Sequence, residues 1–81
     1  MEDINRLKIV LVEKKKTSKW LSEQLKITPS TVSKWCTNTS QPDIGTLIKI
    51  SKLLNITIED LINKEYANSV FPEIKEELYN S

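Results

Sequence analysis

Two short apolar patterns follow each other with very little chain between them, and this order constrains the fold more than any other feature. Leu21 and Leu25 are four residues apart, which places them on one face of a helix. Val32 and Trp35 have the spacing of the inner face of a second helix. Pro29 lies between the patterns and fits the first position of a helix, where a missing N–H costs nothing. The sequence therefore predicts two short helices joined by a three-residue turn.

Hydroxyl residues stand where these two helices should begin. Either Thr17 or Ser18 can cap the first helix and Thr28 can cap the second, because their oxygens accept backbone N–H groups that lack a partner in the first turn. The second helix is expected to cover residues 29–36. Its outward positions carry short polar side chains and one lysine: Ser30, Thr31, Ser33 and Lys34.

The same periodicity predicts three further helices around this pair. The first is expected at residues 4–12 with Asp3 as N-cap, and the second at 44–54 with Asp43 as N-cap. The third is expected at 58–64, after Thr57, which has capping-box spacing to Asp60. The helix at 44–54 should be central to the core, because its apolar stripe is broad. The stripe consists of Ile44, Leu47, Ile48, Ile50, Ser51 and Leu54.

Size and composition restrict the class of protein. A chain of 81 residues with 38% hydrophobic and 28% charged residues can form one small domain, and a single glycine favours helices over many turns. We expect residues 1–64 to form the domain and 65–81 to form a C-terminal tail. Pro72, Ile74 and Leu78 would permit a sixth helix in that tail.

Several functions are disfavoured by what the sequence lacks. Cys36 is the single cysteine and there is no histidine, so we expect neither an internal disulfide nor a zinc site, and a structural thiol is the expected role of Cys36. We find no phosphate-binding glycine loop and no activated nucleophile, so an enzyme and a cofactor are not expected. No apolar run or leader pattern suggests a membrane or secreted protein, and a cytoplasmic location is expected.

The charges are distributed unevenly along the chain. Residues 1–40 contain eight basic and four acidic residues, a net charge of +4, whereas residues 41–81 contain four basic and seven acidic residues, a net charge of −3. One basic face is what phosphate binding requires, although a solvated surface can produce the same pattern. The charge pattern is therefore compatible with a nucleic-acid partner.

The order of residues resembles that of the Cro/C1-type (XRE-family) helix-turn-helix proteins, from the first helix through Leu61. The segments that carry the resemblance are residues 28–35 (TPSTVSKW), Gln41–Pro42, residues 53–57 (LLNIT) and Asp60–Leu61. Three positions depart from the family pattern. Lys26 replaces a turn glycine, Cys36 follows the Trp position where Glu is common, and Ser18 stands where a phosphate-contacting Gln is frequent.

The resemblance implies a compact all-α fold of five helices, like that of λ repressor, with the helix-turn-helix motif at residues 17–36. If Lys26 adopts the left-handed conformation of the missing glycine, the strain should be about 1 kcal/mol. The resemblance also implies binding to double-stranded DNA with the helix at 29–36 in the major groove. The expected DNA contacts are Thr17, Ser18, Thr28, Pro29, Ser30, Thr31, Ser33, Lys34, Asn38, Thr39 and Ser40.

Within this set, Ser30 and Lys34 are the first candidates for reading base edges, and Pro29 could touch a thymine methyl group. Each polar residue could alternatively belong to a solvated helix face. Trp20 could pack over the first helix or stand near DNA, and packing is expected. Trp35 is expected in the core. A transcriptional regulator, specifically a repressor, is the predicted function.

The role of the C-terminal apolar residues stays open. A homodimer is predicted, because one domain reads few base pairs and two helices spaced one DNA turn apart read more. The tail could instead cover its own core, or bind another protein as an antitoxin does. The residues available for such contacts are Ile58, Leu61, Ile62, Tyr66, Val70, Phe71, Ile74, Leu78 and Tyr79.

Overall fold

The computed structural model of the protein describes residues 3–66. The regular elements that end within this range are four α-helices and one short 3₁₀ turn, and residues 64–66 are helical as well, which confirms the predicted all-α fold. The helices are α1 (Leu7–Glu13), α2 (Ser18–Leu25), α3 (Pro29–Cys36) and α4 (Ile44–Leu54), and the 3₁₀ turn is Glu59–Leu61. No helix in this part of the chain has the length and hydropathy needed to cross a membrane.

A single apolar cluster holds the helices together. Leu21 of α2, Val32 of α3, Ile50 of α4 and Leu61 of the 3₁₀ turn are fully buried in it. Removal of such side chains from water is the main favourable contribution to folding, at about 1.5–3 kcal/mol for each large apolar residue. Five further residues complete the buried cluster: Leu7, Val10, Leu11, Trp35 and Leu54.

The predicted N-caps are confirmed for three helices. The Thr17 hydroxyl accepts the backbone N–H of Trp20 at 3.0 Å and begins α2. The Thr28 hydroxyl accepts the N–H of Thr31 at 3.4 Å and begins α3, with Pro29 in its first turn. These bonds satisfy N–H groups that the helices cannot satisfy themselves. Local chemistry therefore fixes where the helices of the motif start.

Asp43 caps α4 by the same mechanism. Its carboxylate accepts the backbone N–H of Thr46 at 2.7 Å, and this hydrogen bond holds the pKa of Asp43 below its ordinary value of 3.8. Because the folded-state pKa is lowered, the stabilisation is present above pH 3.8 and is lost as the pH falls through the lowered pKa. The cap is therefore fully ionised at neutral pH.

All four helices end in the same backbone motif, although none of them ends in glycine. Lys15, Lys26, Asn38 and Asn55 have φ between 56° and 60°, the left-handed region. In each case the N–H of that residue bonds three residues back, and the next N–H bonds five residues back, as in a Schellman motif. Lys26 therefore does adopt the left-handed conformation of the glycine that it replaces, and Lys15 adopts the same conformation at the end of α1.

Lys26→Gly should stabilise the domain by about 1 kcal/mol, because glycine adopts a positive φ without the steric cost that a Cβ brings. Lys49→Gly is the matched control. Lys49 is exposed in the middle of α4, where glycine should cost about 1 kcal/mol. Urea denaturation followed by circular dichroism measures both changes. Equal destabilisation by the two variants would show that the conformation at Lys26 carries no strain.

The predicted start of the first helix is wrong. Residues 4–6 do not continue α1 but lie antiparallel to residues 61–63, with an isolated bridge between Asn5 and Ile62. Arg6 donates its N–H to the Leu61 carbonyl at 2.9 Å. The backbone groups of this segment are thus satisfied by a distant part of the chain, a pairing that helical periodicity does not reveal.

The last predicted helix of the domain is shorter than expected. The capping box is confirmed, because Thr57 and Asp60 exchange hydrogen bonds of 3.1 and 3.2 Å, and the backbone N–H of Thr57 lowers the pKa of Asp60. After Leu61, however, the chain turns extended to pair with residues 4–6, which ends the 3₁₀ turn. The predicted sixth helix lies outside the described residues.

The apolar stripe of α4 is also narrower than predicted. Ile50 and Leu54 are buried, whereas Ile44 and Ile48 are 68% and 40% exposed. The latter two lie one turn apart on a flank of the helix that the core does not reach. Apolar character alone could not distinguish this flank from the buried face.

Candidate nucleic-acid interface

The candidate site is built on α2 and α3, which pack against each other across the three-residue turn. Leu21 and Val32 fill the contact between them, and Ser22 is buried beside them with its hydroxyl donating to the Lys19 carbonyl at 2.7 Å. The small side chain of Ser22 allows the two backbones to approach closely. One face of α3 is consequently held inward and its opposite face is left to solvent.

The outward face of α3 carries the residues predicted to read DNA. Ser30, Ser33 and Lys34 are exposed, and Thr37 follows on the same face immediately after the helix. Their spacing of three and four residues aligns them in one row along the helix. Pro29 is also exposed, at the N-terminal end of this row. A helix presenting a polar row of this kind can enter a major groove.

The start of α3 has a cluster of three hydroxyls. The Thr28 oxygen lies 3.1 Å from the Ser30 oxygen and 2.9 Å from the Thr31 oxygen. Thr28 also accepts the Thr31 N–H as the N-cap, and Thr31 is half-buried. Ser30 is exposed, and in the described part of the chain its hydroxyl is hydrogen-bonded to the Thr28 oxygen alone.

A cleft between α1, the start of α2 and the outer side of α3 brings several polar groups together. Thr17, Ser18 and Ser33, three of the residues predicted to contact DNA, line it. Its charged lining residues are Lys8 and Lys16, and no acidic residue is among the lining residues described. The remaining lining residues are Leu11, Val12, Cys36 and Thr37. The cleft thus combines hydroxyl donors with positive charge, which suits a phosphate backbone.

Trp20 supports this basic cleft from the side. It is half-buried against the core, as predicted, and the ammonium group of Lys16 lies 4.8 Å from the centre of its ring. A cation over an indole face is held by about 0.5–1 kcal/mol at an exposed site. The indole therefore restricts where the charge of Lys16 is found.

The position of Ser18 is set partly by Cys36. The Ser18 oxygen and the Cys36 sulfur are 3.7 Å apart, and both residues are half-buried. This contact joins the first turn of α2 to the last turn of α3. It gives Cys36 a packing role between the two helices of the motif.

Asn38 requires a correction. The sequence suggested an exposed phosphate contact, but the residue is 9% exposed and its amide forms hydrogen bonds to the N-terminal segment and to Gln41. Its neighbours Thr39 and Ser40 are exposed, as expected. The Asn38 side chain points inward to these hydrogen-bond partners, while the residues on either side face solvent.

Three residues of this surface were missed by sequence reasoning. Thr37 follows Ser33 by four residues and could have been found from the helical row alone. Lys16 directly precedes Thr17 and could also have been found from the sequence. Lys8 could not, because only the packing of α1 across the motif brings it to the cleft. The membership of both lysines in the basic half of the sequence was a signal, but it did not identify which lysines share a surface.

The comparisons with known proteins agree with this geometry. The model of the Cro/C1-type helix-turn-helix DNA-binding domain matches residues 6–65. The chain is similar to the crystal structure of a Bacteroides fragilis protein proposed to bind DNA, with 47% sequence identity and a TM-score of 0.73. The match covers 74% of this chain and 97% of that chain. No protein of curated function matches the chain.

Proposed function

We propose that the chain, which belongs to the family of Cro/C1-type helix-turn-helix DNA-binding domains, binds specific sequences of double-stranded DNA and represses transcription. The observation that carries this proposal is the two-sided character of α3. Val32 and Trp35 are buried on one side, and Ser30, Ser33 and Lys34 are exposed on the other. A rigid helix with an exposed polar row can present side chains to base edges in a fixed register.

Base reading is assigned to the exposed row. Lys34 can donate to guanine O6 and N7, and is the strongest candidate for a base-specific contact. Ser30 and Ser33 can donate or accept, so they discriminate weakly, while Pro29 can contact a thymine methyl group. The specificity of the domain should therefore depend mainly on Lys34.

Phosphate contacts are assigned to the rim of the motif. Thr17 and Ser18 stand at the start of α2, where the first backbone N–H groups have no partner within the helix, and Lys8 and Lys16 line the same cleft. These contacts would orient α3 without reading sequence. The other rim residues in the proposal are Thr28, Thr31, Thr37, Thr39 and Ser40; Asn38 is not included.

Repression is the regulatory outcome that this geometry most simply supports. A domain whose recognition helix occupies the major groove excludes other proteins from the same stretch of DNA. Occlusion requires binding alone, without a further surface that recruits the transcription machinery. We therefore propose that the protein represses promoters that overlap its binding sites.

We further propose that residues 1–64 form the DNA-binding domain and that the chain binds DNA as a homodimer. Leu61 does not belong to the proposed dimer surface, because it is fully buried in its own domain. Ile58, Ile62 and Tyr66 are half-buried and are retained as candidates. Sedimentation at micromolar concentration should show a dimer, at least with DNA half-sites present. A monomer under both conditions would contradict this part of the proposal.

Selection of bound sequences from random duplex DNA tests the proposed function. The chain should enrich one motif. Its affinity for DNA should fall steeply between about 50 and 200 mM salt, because phosphate contacts release counterions. For a protein that makes about 6–10 phosphate contacts, the affinity falls by a factor of about 10³–10⁵. A chain that binds DNA without enriching any motif would not be a sequence-specific regulator. A chain that binds no duplex would overturn the proposal entirely.

A further inference from the structure

Two buried asparagines connect the N-terminal segment to the loop that follows α3. Asn5 and Asn38, here called the amide pair, are 5% and 9% exposed and are separated by 33 positions in sequence. A buried amide is costly unless its donors and acceptors are satisfied. Every buried side-chain nitrogen and oxygen in the described part of the chain has a hydrogen-bond partner. The amide pair is thus a complete network and not a packing defect.

Asn38 forms the side of the network nearer the candidate DNA surface. Its Oδ1 accepts the backbone N–H groups of Ile4 and Asn5, both at 2.8 Å, and the side-chain amide of Gln41 at 3.2 Å. Its Nδ2 donates to the Asn5 carbonyl at 3.2 Å. Three of these hydrogen bonds fix the loop residue to a segment distant in sequence, and the fourth joins it to Gln41 in the same loop.

Asn5 completes the connection to α3. Its Nδ2 donates to the Trp35 carbonyl at 2.9 Å and to Gln41 Oε1 at 2.7 Å. Its Oδ1 accepts the N–H of Leu7 at the start of α1. The last turn of α3, the loop and the first turn of α1 are joined by this one side chain.

Asn38 also lies between residues of the DNA-facing surface. Thr37 and Thr39 flank it, are exposed, and have their hydroxyl oxygens 2.8 Å apart. The backbone N–H groups of Thr39 and Ser40 donate to the Lys34 carbonyl. Displacement of Asn38 would consequently move the loop hydroxyls relative to α3.

The need for a left-handed residue at the end of a helix does not explain why the Asn38 side chain is buried. Asn55 has the same left-handed conformation at the end of α4, with φ of 56°, and the same pair of backbone hydrogen bonds. The Asn55 side chain is exposed, and its amide forms no hydrogen bond with any other described residue. The backbone requirement is therefore met at both sites, while the buried network is specific to Asn38.

We infer that the amide pair is a positioning device for DNA binding, which holds the loop at residues 37–40 where its hydroxyl and backbone groups can meet a phosphate. Asn5 and Asn38 are positioning residues and do not contact DNA themselves. The inference rests on the proposed function. It predicts that loss of the pair weakens binding to all duplexes, because the loop reads no base.

Asn38→Gly isolates this role, because glycine keeps the left-handed helix end and removes the amide. Binding should weaken about tenfold, the value of one hydrogen bond to a charged group, on both the selected duplex and a scrambled duplex of equal composition. The slope of affinity against salt should not change, since no lysine is removed. Asn55→Gly is the matched control and should bind as the unsubstituted chain does.

Fluorescence anisotropy measures these affinities at a temperature where circular dichroism shows each variant fully folded. Wild-type affinity in folded Asn38→Gly would overturn the inference, because the network would then serve stability alone. Equal weakening by Asn55→Gly would also overturn it, because the effect would come from glycine at a helix end. Failure of the unsubstituted chain to bind either duplex would overturn the proposed function, and this inference with it.

Asn5→Ser is a second variant if Asn38→Gly does not fold. Serine can still accept the Leu7 N–H but cannot reach the Trp35 carbonyl, so the start of α1 is kept and the connection to α3 is lost. We expect a loss of affinity on both duplexes in the same direction as for Asn38→Gly. An unchanged affinity together with a lowered melting temperature would contradict a positioning role.

Discussion

Trp35→Ala should unfold most of the domain at room temperature. Trp35 is 7% exposed and packs in the core cluster from the last turn of α3. Truncation of a buried tryptophan costs about 3–5 kcal/mol, because the transfer free energy is lost and a cavity remains. A domain of this size often has little more stability than that. Urea denaturation monitored by circular dichroism gives the free energy of unfolding for both chains.

Trp20→Ala is the control for this prediction. Trp20 is only half-buried, so Trp20→Ala should lower the free energy of unfolding clearly less than Trp35→Ala does. The substitution should also remove the contact between the Lys16 ammonium group and the indole ring. Trp35→Phe should retain most of the stability, because it preserves an aromatic ring at the same place. A loss below about 1 kcal/mol in Trp35→Ala would contradict a core role for the residue.

Lys34→Ala should abolish discrimination at one position of the DNA site. Lys34 is exposed in the middle of the polar row on α3, where a lysine can reach the acceptors of a guanine. The substitution should weaken the free energy of binding by about 1–3 kcal/mol on the preferred sequence, and by much less on a sequence with another base at that position. Competition titrations with single-base variants of the selected duplex measure this difference.

Lys64→Ala removes the same charge at a site outside the proposed interface. Lys64 pairs with Glu59 at 3.1 Å beside the 3₁₀ turn, so its loss should leave base preference unchanged. A uniform loss of affinity across all base variants in Lys34→Ala would show that Lys34 contacts phosphate. The base-reading role would then pass to Ser30 and Ser33.

The sequence predicted the parts of the fold whose causes are local. The starts of α2, α3 and α4 depend on Thr17, Thr28 and Asp43, each of which bonds an N–H in the next turn. The left-handed residue that ends α2 could be predicted from its place in the motif. The caps require no knowledge of the rest of the chain, so pattern and cap chemistry were sufficient for them, whereas the left-handed residue followed from the family resemblance.

The features that sequence reasoning missed depend on contacts between distant segments. Residues 4–6 look like the start of a helix, but pairing with residues 61–63 satisfies their backbone groups instead. Asn38 looks like a surface loop residue, but its amide meets Asn5 across 33 positions. Lys8 becomes part of the interface only through the packing of α1 over the motif.

Dimethyl sulfate probing of the selected duplex tests most directly whether α3 reads the major groove. The reagent methylates guanine N7 in the major groove and adenine N3 in the minor groove, so the two grooves report separately. The bound chain should protect at least one guanine N7, and Lys34→Ala should remove that protection while the complex persists at higher protein concentration. Protection of adenine N3 alone would place the protein in the minor groove and contradict the assignment of α3 as the recognition helix.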